Sequence, residues 1–183
     1  MERVYQINIH RESAQKRKLY VDIGGNNKID SVKVYSKFGH SCFNCGVDLK
    51  GETSSIEKPL DHTLPIKYLW PLTTDNATLL CRECNGEKSD KWPSEFYDDD
   101  QLKELHRLTG INYDVLKGDP FFNPAAIKKL KQANEVEKLI EKFAHYEDKV
   151  IGLRNRIIEH EGFDFFSGAN ISKAIIERAD AAR

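Results

Sequence analysis

The chain has 183 residues, 39% of them hydrophobic and 31% charged, with 28 Lys and Arg against 29 Asp and Glu and a formal net charge of −1. This composition excludes wholesale disorder, and no apolar run approaches the ~18 residues of a membrane span. It also offers no global excess of positive charge for gripping a polyanion. The length fits one or two domains. The opening residues lack the charged-then-apolar layout of a secretory signal, so a cytoplasmic, membrane-free protein is expected.

Residues 1–40 carry eight Lys or Arg against four Asp or Glu, including the run Lys16, Arg17 and Lys18. Extended segments are expected over residues 4–9 and 19–23, then a glycine and asparagine break at 24–27, then a short helix over 31–38. This reads as a partly basic, β-containing arm spanning 1–37.

The four cysteines are Cys42, Cys45, Cys81 and Cys84, two C-x2-C pairs separated by 35 residues. A tetrahedral zinc needs four thiolates at roughly 2.3 Å, and two such pairs close on it as pincers. Paired disulfides fit poorly, because nothing points to an oxidising compartment. A redox C-x-x-C calls for one such motif within a βαβ pattern, and no βαβ pattern surrounds either pair. With four protein thiolates the zinc would be coordinatively closed and structural. Reactive chemistry must come from elsewhere.

Between and across the cysteines run Asp61, His62, Thr63, Leu64 and Pro65, then Asp75 and Asn76, then Asn85, Gly86, Glu87 and Lys88. Phosphodiester hydrolysis needs a base for water, and an imidazole titrating near neutrality suits His62. Asp61 offers a hard anionic oxygen to Mg²⁺ or a similar cation, and Asn85 a neutral carbonyl oxygen to the same ion. Adjacent Asp61 and His62 point to opposite faces of a regular strand, so both serve one site only where the strand ends or bulges. Pro65 favours an ending. Lys88 falls at i+3 from Asn85 on the expected helix and is a candidate phosphate contact.

These residues in this order resemble the HNH (ββα-metal) endonuclease family: an Asp-His-x-x-Pro strand, a loop Asn, and a helix opening on C-x-x-C-[H/N]-x-x-K. The resemblance covers about residues 38–91. It implies a ββα-metal core, His62 as general base, Asn76 as a catalytic-loop residue bracing the His62 segment, and a catalytic divalent metal on Asp61 and Asn85. Asn85 stands where the family often has His, which favours an oxygen-loving cation such as Mg²⁺ over zinc there. The implied partner is double-stranded DNA.

Downstream, residues 94–124 carry three Lys or Arg against seven Asp or Glu. The aromatic residues Trp92, Phe96 and Tyr97 suit packing on the zinc module better than stacking on bases. Asp98, Asp99 and Asp100 suit the cap of a helix over 101–109 that Gly110 ends. Pro124 then opens a long expected helix in which Val136, Leu139, Phe143, Tyr146, Val150, Leu153 and Ile157 form an a/d seam, a surface for a homodimer or for burial within the chain. Lys149, Arg154 and Arg156 are candidates to face DNA. A loop from Gly162 and a short helix follow.

The expected fold class is α+β: a ββα-metal core (38–93) with a four-cysteine structural zinc, the β-containing arm (1–37) and a helical C-terminal region (94–183). The expected function is metal-dependent DNA endonuclease of type II restriction or defence kind. The alternatives are a non-catalytic zinc-ribbon nucleic-acid-binding module and a homing or nicking HNH nuclease.

Overall fold

A computed structural model describes residues 14–183. The extended segment expected over 4–9 lies outside the described residues. The architecture among the described residues is α+β, mostly helical with one two-stranded antiparallel sheet. By its contacts the chain forms two compact units, one of residues 26–120 and one that joins residues 14–25 with 121–183. No helix among the described residues is long and apolar enough to cross a membrane.

In the unit of residues 26–120, helix α2 (Ser31–Lys37) is capped by Asp30, whose carboxylate accepts the Lys33 N–H at 3.1 Å. The sheet follows as β1 (Leu60–His62) and β2 (Ala77–Leu79), with Leu60 opposite Leu79, Asp61 opposite Thr78 and His62 opposite Ala77. Helix α3 (Arg82–Lys88) starts directly after β2. Helix α4 (Asp99–Thr109) is the expected one: Asp98 and Gln101 form its capping box, and Gly110 ends it at φ 76°, a left-handed turn natural to glycine. Helix α5 (Tyr113–Lys117) completes the unit. Its core is built on Val34, Leu69, Leu79, Leu80, Trp92, Leu105 and Leu116, all wholly buried, each leucine worth about 2 kcal/mol of burial. Trp92 packs edge-on against Tyr68 and its indole N–H donates to the Val115 carbonyl at 3.1 Å. The aromatic segment therefore packs, as expected.

The other unit begins with helix α1, residues 14–24. An extended segment was expected at 19–23, and the structure corrects this. Leu19, Tyr20 and Ile23 are buried while Val21 is only half-buried, which is a helical face and not the alternation of a strand. Lys16, Arg17 and Lys18 are exposed.

The single long helix expected after Pro124 is also corrected. The chain breaks into α6 (Pro124–Leu130), α7 (Ala133–Lys142), a 3-10 turn (Ala144–Tyr146) and α8 (Glu147–Glu161), followed by α9 (Lys173–Ala181). Val136 and Leu139 of α7 and Val150, Leu153 and Ile157 of α8 are buried by their own chain, as is Phe143 in the connection. The three-and-four spacing reported which side of each helix is apolar, and that signal survives a break between helices. Six of the seven seam residues are thus core within the chain itself, and Tyr146 is half-buried. Arg154, a candidate to face DNA, is buried with it.

Candidate functional site

The first cysteine pair sits in a tight turn after α2. The Cys42 N–H donates to the Val47 carbonyl at 2.9 Å and the Gly46 N–H to the Cys42 carbonyl at 2.8 Å, with Gly46 at φ 76°. The Phe43 N–H reaches the Leu79 carbonyl at 2.9 Å, which ties this turn to β2. The second pair opens α3, where Cys81 is the N-cap and its Sγ accepts the Cys84 N–H at 3.5 Å. All four cysteines are free of disulfides, and their Sγ atoms lie within 4.8 Å of one another, with Cys45 and Cys81 at 3.9 Å. A tetrahedral centre with bonds of about 2.3 Å sets its sulfurs roughly 3.8 Å apart. The cluster can hold a metal such as zinc. Burial pushes the Cys84 thiol far up; the Asn44 amide, donating to its Sγ at 3.4 Å, opposes this, and the three other sulfurs add to it. Such thiols become ligands by giving their protons up to an incoming cation.

β1 ends at His62, which stands opposite Ala77 of β2. The following loop is clamped by Asn76. Its buried side chain accepts the Leu64 N–H at 2.7 Å and donates to the Leu64 and Pro71 carbonyls at 3.1 and 2.9 Å, while its own carbonyl accepts the Thr63 N–H at 3.0 Å. Both donors and the acceptor of the amide are used, so Asn76 braces the segment after His62. Below it, the buried hydroxyls of Thr63 and Thr78 meet at 2.7 Å.

Lys88 departs from expectation. Its side chain is 0% exposed, and its Nζ lies 2.6 Å from Asp61 Oδ2 and donates to the His62 carbonyl at 2.8 Å. An ammonium so placed is not a surface cation for phosphate. Asp61 is itself 16% exposed; burial raises its carboxyl above the usual range, and Lys88 opposes part of that rise. Asn85, one turn before Lys88 on α3, is half-buried and its side chain has no hydrogen-bond partner among the described residues. His62 is half-buried.

Tyr97 was seen in the sequence only as a packing aromatic. It stacks edge-on against Phe43, and its buried hydroxyl has no hydrogen-bond partner among the described residues. Burial, then the charges of Asp61, Cys42 and Cys84, push that phenol well above its ordinary range. No local signal could have linked Tyr97 to Asp61, since they are far apart in sequence.

No family model matches the chain, and no curated protein or solved structure matches it either. The chemistry therefore has to be argued from these residues. They form a four-cysteine cluster that could hold a metal and, in the same unit, a carboxylate, an imidazole and an amide on a strand end and the helix that follows the sheet.

Proposed function

We propose that the chain is a metal-dependent DNA endonuclease of the HNH (ββα-metal) type, serving restriction or defence. The observation that carries this reading is the Asp61–His62 strand end, clamped on one side by Asn76 and on the other by Lys88 of the helix that the cysteine cluster anchors. A surface Asp-His pair in a plain zinc ribbon has no need of two such clamps. The order of β1, β2 and α3 with cysteines bracketing them supports the same reading.

In this mechanism His62 takes the proton from the attacking water, and Asn76 keeps the loop after it from shifting. Asp61 and the side-chain oxygen of Asn85 would hold Mg²⁺ or a similar hard cation, an all-oxygen set that suits it. When bound, that ion neutralises the charge that develops on the phosphorane and the departing oxygen. The cysteine cluster, with four thiolates, fixes the start of α3 and hence where Asn85 stands, and offers no open position for a reacting water.

Nicking of supercoiled plasmid with and without Mg²⁺ or Mn²⁺ tests the proposal. His62→Ala is expected to slow cleavage by at least ~10²-fold with zinc content and DNA affinity retained. A His62→Ala protein that cleaves as fast as its parent sinks the mechanism. A parent that binds nucleic acid yet never cuts it is a zinc-bound binding module instead.

A further inference from the structure

We infer that Lys88 is a positioning residue for the metal-holding carboxylate, and not a contact to phosphate. The inference rests on the nuclease reading for its purpose, but on geometry for its content. A lysine with no exposed side-chain surface cannot reach a nucleic-acid backbone. Its ammonium meets two groups of one short strand, the Oδ2 of Asp61 at 2.6 Å and the carbonyl of His62 at 2.8 Å.

The helix ends in a way that drives this side chain inward. Ser89, next in sequence, turns at φ 49°, and the Lys91 N–H closes on the Lys88 carbonyl at 3.0 Å. Lys88 is therefore the last helical residue before the chain reverses, and its side chain lies along β1. A methionine would fill the same space without a charge to desolvate. A buried ammonium is sustained by an anionic partner and hydrogen bonding; here Asp61 lies in ion-pair contact and the His62 carbonyl accepts a hydrogen bond.

Two consequences follow for the site. The ammonium engages Asp61 Oδ2 and the His62 backbone N–H donates to the same carboxylate, so Asp61 is held in place from the helix and from its own strand. The same ammonium pins the His62 carbonyl, while Asn76 holds the backbone of Thr63 and Leu64. The backbone of residues 61–64 is thus held from two elements. Outer groups that orient a metal-binding side chain typically change metal affinity or activity ~10–100-fold when removed.

Mn²⁺ binding to the zinc-loaded full chain, followed by electron paramagnetic resonance without DNA, tests this. Lys88→Met is expected to weaken Mn²⁺ binding at least ~10-fold and to slow turnover at saturating DNA, with zinc content and DNA affinity unchanged. In an Asp61→Asn background the same substitution should add almost nothing, because Lys88 acts through Asp61. If Lys88→Met fails to fold, Lys88→Gln keeps a donor for the His62 carbonyl and carries the same test. Independently of any variant, the Lys88 ε-methylene signal of the parent should broaden on adding Mn²⁺, and a sharp signal at saturation overturns the inference. So does weakened DNA binding with unchanged Mn²⁺ affinity, the signature of a phosphate contact. A parent that binds Mn²⁺ through Asp61 but cuts no DNA overturns the nuclease reading and leaves the Lys88–Asp61 coupling standing. A parent that binds no Mn²⁺ overturns both.

Discussion

Each unit buries one basic side chain against a carboxylate, and the two pairs are built differently. In the unit of α6 to α9, Arg154 is 4% exposed and grips Asp164 with two parallel bonds, Nε to Oδ1 at 2.8 Å and Nη2 to Oδ2 at 2.5 Å, with a third from Nη1 to Asp180 at 2.9 Å. Asp164 is 33% exposed, and although burial works against it, the Arg154 hydrogen bonds hold its carboxyl below the usual range. In the other unit Lys88 makes one contact to an Asp61 that is far less exposed, and there burial wins and the carboxyl is raised. The guanidinium fork grips both oxygens of its partner, whereas the ammonium is a point charge set against one. The first pair is a clasp that joins α8 to the segment before α9. In the second, burial raises a carboxyl that its cationic partner only partly offsets, a perturbation of the kind that clusters at functional sites.

Denying the cysteine cluster a metal is the harshest way to break the comparison. Cys81→Ser, or chelation of zinc, should cost about 10 kcal/mol or more of folding energy in the unit of residues 26–120. Hydrogen exchange should show protection lost over β1, β2 and α3 and kept over α8. Equal loss in both units would show that they do not fold separately.

Arg154→Met should cost about 3 kcal/mol, the low end for stranding a buried partner, because Asp164 is a third exposed and water can reach it. Urea denaturation measures that cost. Mn²⁺ affinity and cleavage should be unchanged, in contrast with Lys88→Met. An Arg154→Met protein of full stability that cleaves poorly would reverse the roles assigned to the two pairs.

Acid should act on the clasp with a definite sign. Asp164 has a folded pKa below its unfolded value of 3.8, so its stabilisation is fully present above that value and is lost as pH falls through the folded pKa. The stability gap between parent and Asp164→Asn should therefore be constant near neutrality and narrow only below about pH 4. A gap already closing at pH 6 would point to a different group.

The smallest effect is a gain. Gly152 lies mid-helix in α8, exposed, with open space where a Cβ would be. Gly152→Ala should add up to about 1 kcal/mol, read as a rise in Tm, and should leave the Asp61 site untouched.

Much of the site was legible because its signals are local. Two C-x2-C pairs converge wherever a tetrahedral metal is held, the aspartates at 98–100 and Gly110 bound a helix by short-range hydrogen bonds, and the bracing role of Asn76 came only from the family resemblance. The spacing that set Lys88 on the face of Asn85 was also correct. Its burial was not visible, because spacing tells which residues share a face and never what packs upon it. The segment at 19–23 failed for a related reason, since five apolar-rich residues fit a strand and a helix equally well.

By itself the sequence determined the cysteine cluster, the strand end at His62 and the apolar sides of the C-terminal helices. These follow from bond geometry and periodicity, which act over a few residues. Only the tertiary structure decided that the seam from Val136 to Ile157 is folded core, that residues 14–25 join 121–183, and that Lys88 turns in to Asp61. Those outcomes depend on which surfaces meet, and hydrophobic burial is non-directional: it fixes that an apolar face will be covered, and leaves the partner to the fold as a whole.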